Sequence, residues 1–411
     1  MKQKLFHRDF TLMVLGQIAS LFGNSILRFC LSLYVLDLTG SAAAFGGILA
    51  VSMIPTVLLS PIGGILSDRM NRRNIMTALD FTTSAFILLF MLFLGNTQNL
   101  FFIGLFMVLL SIIQSFYQPS VQSSIPLLAC PDNLMKANGV VVQVNALSNL
   151  VGPILGGLFY GLFGLSPILT ASCLCFFASA VMELFLHIPF VRQPRAGGFL
   201  ASAAGDVKGA FHFLSKDNPG LLKLLFLLAA LNLFLSSMIT VGLPYLIKVF
   251  LGLSDLHYGF AEGALAAGAV IGGCLAGTIS KKTDFFHGYR FLFLGALILL
   301  PIGAAVLTNT LPAVSYTAIL ICILLCMCCA SLFNIFAQTF AQRQTPPTML
   351  GKVTSFVTII CTCAFPIGQS MYGVLFDWFK NSVAVVVFFG CVMSLLVAVA
   401  TRGNLKKLAA E

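Results

Sequence analysis

Twelve apolar runs, each about as long as a bilayer is thick, follow one another along this chain and leave few folds open. A helix needs about 20 mostly apolar residues to cross a membrane. Runs of that length lie at roughly 11–37, 42–66, 75–95, 100–126, 136–163, 167–190, 221–250, 255–280, 290–308, 312–342, 349–376 and 382–401. They are unbroken rather than alternating, which predicts helices and not the short, dyad-patterned strands of a barrel. With 59% hydrophobic and 9% charged residues among 411, the chain has too little polar surface to dress a water-soluble domain. The lipid bilayer is therefore its solvent.

A net charge of +10 would fit nucleic acid or an anionic surface, so its placement decides the reading. An even number of spans puts both termini on one side. All but Arg28, Lys248 and Lys380 of the 23 lysines and arginines fall on that side. The short-loop bias then predicts a multi-pass plasma-membrane protein, bacterial in character, with both ends in the cytoplasm. No nucleic-acid partner is needed to explain the charge. The first span is too long for a signal-peptide core, and no small-residue cleavage pattern follows it. The twelve cysteines lie mostly inside spans, four of them in the tenth without a histidine, so no disulfide framework, metal site or cofactor is predicted.

The expected domains are 1–190, a six-helix bundle; 191–220, a polar linker; and 221–411, a second bundle. Within the linker Val207, Ala210, Phe211 and Leu214 fall at helical spacing and predict a short amphipathic helix on the membrane surface. The halves repeat. Ser111, Gln114, Phe116, Gln118, Gln122 and Pro126 match Ser331, Asn334, Phe336, Gln338, Gln342 and Pro346 at one constant offset. Phe45-Gly46 opens the second span as Tyr258-Gly259 opens the eighth, and Gly152 and Gly157 match Gly368 and Gly373. Two halves related by an axis along the membrane normal, with substrate near the midplane, are the expected arrangement. A charged turn, Gly64-Ile65-Leu66-Ser67-Asp68-Arg69-Met70-Asn71-Arg72-Arg73, has a weaker echo in Gly277-Thr278-Ile279-Ser280-Lys281-Lys282.

Charge inside a membrane is costly, roughly 2.5 to 3.5 kcal/mol at a helix centre on insertion scales, and marks function. Arg28 lies nine residues before Asp37, near mid-membrane, and is expected to face the central cavity. Glu262, well inside the eighth span and read as its only carboxylate, is the first choice for proton coupling, because a desolvated carboxyl can load and release a proton as hydration changes. The two are a candidate pair in which protonating Glu262 frees Arg28; a static ion pair fits the same residues. Asp80 and Glu183 are expected nearer the interfaces, and Asp377 solvated at the outer end of the eleventh span. Asp37 and Lys248 occupy corresponding outer ends and form a candidate gate pair. Gln114, Gln118 and Gln122 share one helix face, as do Asn334, Gln338 and Gln342. With Phe116, Tyr117 and Phe336 they are the candidate walls for an amphipathic ligand, although interhelical hydrogen bonding would also explain them.

The Gly64 to Arg73 turn resembles the signature between helices two and three of the major facilitator superfamily, and Gly152-Pro153-Ile154-Leu155-Gly156-Gly157 resembles the antiporter motif of its drug exporters. Asp68 to Arg73 with Asp80, Leu38-Thr39-Gly40-Ser41, and Asp206-Val207-Lys208-Gly209 are similar to the macrolide-efflux and enterobactin-exporter branch. The resemblance implies the twelve-helix major facilitator fold and no enzyme activity. It also implies a cytoplasmic gate at Gly64, Asp68, Arg69, Arg72 and Arg73, and an exchanger motif at Gly152, Pro153, Gly156 and Gly157. Physically, Gly64 permits close backbone approach, and Asp68 can receive basic side chains or face the start of the eleventh helix. Asn71 stands where the signature has glycine and tolerates turn geometry. Pro153 kinks its span.

There is no Walker-type loop and no dinucleotide fingerprint, so ATP-driven transport and Rossmann chemistry lack support. The reading is a monomeric secondary transporter that exports amphipathic small molecules, drug- or macrolide-like, in exchange for protons. Two alternatives stay open: an exporter or flippase of one anionic metabolite such as a siderophore or lysophospholipid, and a non-transporting scaffold or sensor.

Overall fold

The computed structural model describes residues 6–94, 99–130, 133–189, 209, 211–279, 288–308, 311–346 and 349–410. Among them every regular element is helical, and twelve helices are long and apolar enough to cross a membrane. They are α1 (Arg8–Thr39), α2 (Ala42–Arg69), α3 (Arg72–Leu94), α4 (Leu100–Leu128), α5 (Leu134–Phe163), α6 (Leu165–Leu184), α7 (Pro219–Phe250), α8 (Asp255–Ile279), α9 (Tyr289–Leu307), α10 (Pro312–Gln344), α11 (Leu350–Trp378) and α12 (Val383–Ala410). Large apolar side chains such as Leu92, Phe101, Leu162 and Leu307 stand exposed on their outer faces, as lipid-solvated helices require.

Local sequence explains the breaks. α1 ends at Gly40, whose φ of 57° is left-handed and suits glycine. Ser41 follows at once and its hydroxyl accepts from Ala44 N, starting α2. The Leu38-Thr39-Gly40-Ser41 motif is thus a helix stop fused to a helix start. Proline opens α7 and α10, where its missing N–H is not needed. Asn71 caps the next start: its side chain accepts from Arg73 N at 3.1 Å. Asn71→Ala is therefore expected to destabilise the fold by about 1 kcal/mol, read as a lower unfolding midpoint in detergent.

The chain forms two compact units: 1–40, 51–195 and 254–260 in the first, and 41–50, 196–253 and 261–411 in the second. In the first, α1 packs on α5 and α6, and α3 on α4 and α6. The α1/α6 contact is close because small residues line it: Ser179 Oγ donates to the Gly16 carbonyl at 2.9 Å and Ser172 Oγ to that of Gly23 at 3.2 Å. In the second unit α9 packs on α10 and α12, and α11 on α7. α7 widens into π-helical turns at Asn232–Ser236 and Tyr245–Phe250, a local geometry that often sits at functional sites. In the linker, 211–216 are helical, with Leu214 buried and Phe211 against the Phe356 ring. Val207 and Ala210 lie outside the described residues.

The repeat reappears as geometry. In the first unit Gly157 of α5 meets the start of α8, where a Cβ on it would stand 2.6 Å from the Asp255 carbonyl oxygen and 3.0 Å from Gly259 Cα. In the second, a Cβ on Gly373 of α11 would stand 2.7 Å from the Ala42 carbonyl oxygen, and one on Gly46 of α2 would stand 3.4 Å from Gly373 Cα. The glycines that match between the halves thus make the same kind of helix crossing, once in each unit.

Candidate functional site

In the second unit a cavity of about 450 Å3 opens between α7, α8, α9, α10 and α11. Its polar lining includes Asn232 and Ser236 from the first π-helical turn of α7, Asn334 and Gln338 from α10, and Thr358 and Thr362 from α11. Asn334 and Gln338 are joined, Gln338 Nε2 donating to Asn334 Oδ1 at 3.1 Å. A smaller cavity of about 130 Å3 shares Gln338 and Thr358 and adds Gln342. The wall therefore carries amide and hydroxyl groups among Leu228, Leu231, Phe333 and Val357, a lining suited to an amphipathic molecule. Phe336, expected on this wall, is buried against Phe291 instead. Sequence reasoning passed over Asn232 and Ser236, although two polar residues four apart inside an apolar run were a usable signal.

In the first unit, Arg28 is partly buried on α1. Its Nε donates to Asn24 Oδ1 at 3.1 Å and its Nη2 to Ser111 Oγ at 2.9 Å. These bonds fix the guanidinium while using two of its five N–H donors. Gln114, Phe116 and Gln118 are partly buried on α4. Tyr117 departs from the expectation: it is 1% exposed, packs in the core with Phe10, Met13 and Val121, and donates to Glu183 Oε1 at 2.9 Å. It lies about 100° round the helix from Gln118, so the glutamine face does not include it.

Glu262 is partly buried on α8. It is not the sole carboxylate there, because Asp255 is the first residue of the same helix. Asp80 and Glu183 are buried in the first unit, each 1% exposed. Asp377 is not simply solvated either: its carboxylate accepts from Ser41 Oγ at 2.5 Å, Ala42 N at 2.8 Å and Ala43 N at 3.2 Å, capping α2. Asp37 accepts from Tyr160 Oη at 2.9 Å. Lys248 lies in the last turn of α7.

At the charged turn, Arg72 Nε donates to Ser123 Oγ at 2.9 Å and Arg73 Nη2 to the Leu184 carbonyl. Together they tie the start of α3 to α4 and α6. The side chains of Asp68 and Arg69 lie outside the described residues, as does the Ser280 to Lys282 part of the echo. Among the described residues nothing lies within 4 Å of where a Cβ on Gly64 would stand, whereas neighbouring Gly63 packs on the Ser115 carbonyl. In the antiporter motif Gly152, Pro153, Gly156 and Gly157 are all buried. Gly152 lies against Ser25, and a Cβ on Gly156 would stand 2.8 Å from Phe29 Cδ1, so this face of α5 is pressed onto α1.

Twelve spans in two repeated units, with a polar-lined cavity inside the membrane-spanning region, define a multi-pass membrane transporter. The chain belongs to the Major Facilitator Superfamily, whose sequence profile matches residues 13–369. It is 23% identical over 393 residues to macrolide efflux protein A of Streptococcus pyogenes, spanning 93% of this chain and 94% of that one. It is 25% identical over 316 residues to the enterobactin exporter EntS of Salmonella typhimurium (strain LT2), spanning 76% and 72%. Among solved structures, a bacterial homologue of the iron transporter ferroportin in the inward-facing state superposes with a TM-score of 0.73 at 18% identity, covering 95% of this chain and 98% of that one. A bacterial homolog of the human lysosomal transporter Spinster gives 0.74 at 14% identity, covering 97% and 96%. These two likenesses concern the fold.

Proposed function

We propose that the chain exports amphipathic small molecules in exchange for protons by alternating access. The observation that carries the reading is the cavity of about 450 Å3 in the second unit, where Asn232, Ser236, Asn334 and Gln338 offer hydrogen bonds among apolar walls. The likeness to macrolide efflux protein A supports the substrate class. In this reading Gln114 and Gln118 of the first unit also contact substrate and Glu262 is the coupling carboxyl. Asp37 and Lys248 act as an outer gate pair, both termini lie in the cytoplasm, and one chain suffices for transport.

Binding of a radiolabelled macrolide to purified protein tests the cavity. Asn232→Leu and Asn334→Leu are each expected to raise Kd about 3- to 10-fold, the loss of one net hydrogen bond. An unchanged Kd in both would move the substrate elsewhere. A second reading, export of one anionic metabolite, is favoured by Arg28. Asn24 and Ser111 aim its guanidinium and leave N–H donors for a carboxylate or phosphate. Arg28→Gln separates the readings: it should weaken a siderophore or lysophospholipid strongly and a neutral ligand little.

A further inference from the structure

Two carboxyl groups lie deep in the first unit and play no part in the cavity described above. Asp80 on α3 and Glu183 on α6 are each 1% exposed, and α3 and α6 pack against each other. Side chains from two more helices hydrogen-bond to them. Ser20 Oγ of α1 donates to Asp80 Oδ1 at 3.3 Å, and Tyr117 Oη of α4 donates to Glu183 Oε1 at 2.9 Å. Four helices, α1, α3, α4 and α6, thus contribute to one buried polar cluster.

No basic side chain answers these carboxyls among the described residues. On α3, Arg72 donates to Ser123 and Arg73 to the Leu184 carbonyl. On α1, Arg28 is held by Asn24 and Ser111, Arg8 is exposed, Asp9 accepts from His187 N, and Asp37 binds Tyr160. On α5, Lys136 is exposed. Burial without a counter-cation disfavours the charged form of a carboxyl group, and two neighbouring carboxylates cannot both be charged cheaply.

The surroundings hold further uncommitted polar groups. Asp80 Oδ2 and Glu183 Oε2 accept no hydrogen bond among the described residues. Gln17, fully buried three residues before Ser20 on α1, has neither amide atom bonded. Thr77, 7% exposed and three residues before Asp80 on α3, has a free hydroxyl. Residues three apart share a helix face, so both flank the Ser20–Asp80 pair. Apolar residues would fill such positions in a core whose only task was packing.

We propose that Asp80 and Glu183, hydrogen-bonded by Ser20 and Tyr117, form a proton-binding site inside the N-terminal bundle, distinct from Glu262. A proton taken up there neutralises one of the two carboxylates, and Ser20 and Tyr117 hold the other with their hydroxyl hydrogens. Glu183 is the next-to-last residue of α6, beside the Asp9 and His187 end of the bundle, which supplies a short route to water. A role in coupling rests on the antiport reading; proton binding does not.

Infrared difference spectra of the purified protein in lipid, recorded between acid and alkaline pH, test the site. A carboxylic acid C=O band that shifts in D2O is expected in the wild type. It should be lost or reduced by at least half in Asp80→Asn and in Glu183→Gln, and retained in Glu262→Gln. Carbon-13 labelling of side-chain carboxyls in the wild type assigns the band to aspartate or glutamate without any substitution, so a variant that fails to fold does not stop the test. Tyr117→Phe, which removes the donor to Glu183, should keep the band and move its position. A band unchanged in both carboxyl variants overturns the proposal, as does one abolished at constant pH by sodium or a divalent cation, which would make this a metal-ion site. A persistent band with no substrate-driven proton flux would sink the antiport reading and leave the site standing.

Discussion

Gly157→Ala is expected to slow transport at least about fivefold, whereas Gly161→Ala, one turn further along α5, should leave the rate within about twofold. The contrast comes from what each added methyl would meet. At Gly157 the new Cβ would lie 2.6 Å from the Asp255 carbonyl oxygen and 3.0 Å from Gly259 Cα. These are backbone atoms of the first turns of α8, which cannot swing aside as a side chain does. Overpacking of that kind typically costs about 1–3 kcal/mol, and about 1.4 kcal/mol is a tenfold change in an equilibrium. At Gly161 the nearest neighbour would be Asp255 Cβ at 3.6 Å, an ordinary contact. There alanine's better helix propensity, about 0.8–1.0 kcal/mol, makes the substitution neutral or stabilising. Gly373→Ala should behave like Gly157→Ala, because its Cβ would stand 2.7 Å from the Ala42 carbonyl oxygen. Initial efflux rates for the three variants, normalised to the amount of folded protein, check the prediction. Equal rates for Gly157→Ala and Gly161→Ala would mean that the crossing plays no part in the cycle.

The second large effect concerns Asp377. Its carboxylate takes hydrogen bonds from Ser41 Oγ, Ala42 N and Ala43 N, and it also meets the positively polarised start of α2. Bonds to a charged group contribute about 1.5–3 kcal/mol. Asp377→Ala removes all three acceptor contacts at once. The amides of Ala42 and Ala43 are therefore expected to exchange with solvent about 10- to 150-fold faster, while those in the middle of α11 keep their protection. Asp377→Asn, which keeps an acceptor oxygen but not the charge, should fall between. Hydrogen exchange read by mass spectrometry over the peptide containing Ala42 and Ala43 decides it. Unchanged protection there would show that the Ser41 cap alone holds the helix start.

These effects could be foreseen only partly from the residues. The spans were legible because solvation by lipid leaves a length and a composition that nothing else imitates. The repeat was legible because matched residues keep their spacing within each span, Ser111 to Pro126 against Ser331 to Pro346 and Gly152 to Gly157 against Gly368 to Gly373. Position along a helix was readable; position around it was less so. Tyr117 sits among Gln114, Gln118 and Phe116 in sequence, yet turns into the core toward Glu183, and only the packing of α1 and α6 on α4 decides that. Asp80 and Glu183 look like interfacial carboxyls because each lies within about three turns of a helix end. Their burial comes from the small-residue contact between α1 and α6, a tertiary fact. Asp377 finds its donors more than 300 residues away in sequence, beyond any local pattern. Asn71, read from the sequence only as a departure that tolerates turn geometry, caps α3 through its side chain, a role that asparagine before a helix start could have signalled.

The decisive measurement is proton movement in proteoliposomes holding the purified chain, challenged with macrolides, cationic dyes, siderophores and lysolipids beside Glu262→Gln. An amphipathic member of the panel is expected to drive proton flux, and Glu262→Gln to lose it. Substrate movement with no accompanying proton flux would contradict exchange, and flux unchanged in Glu262→Gln would take the coupling role from that carboxyl.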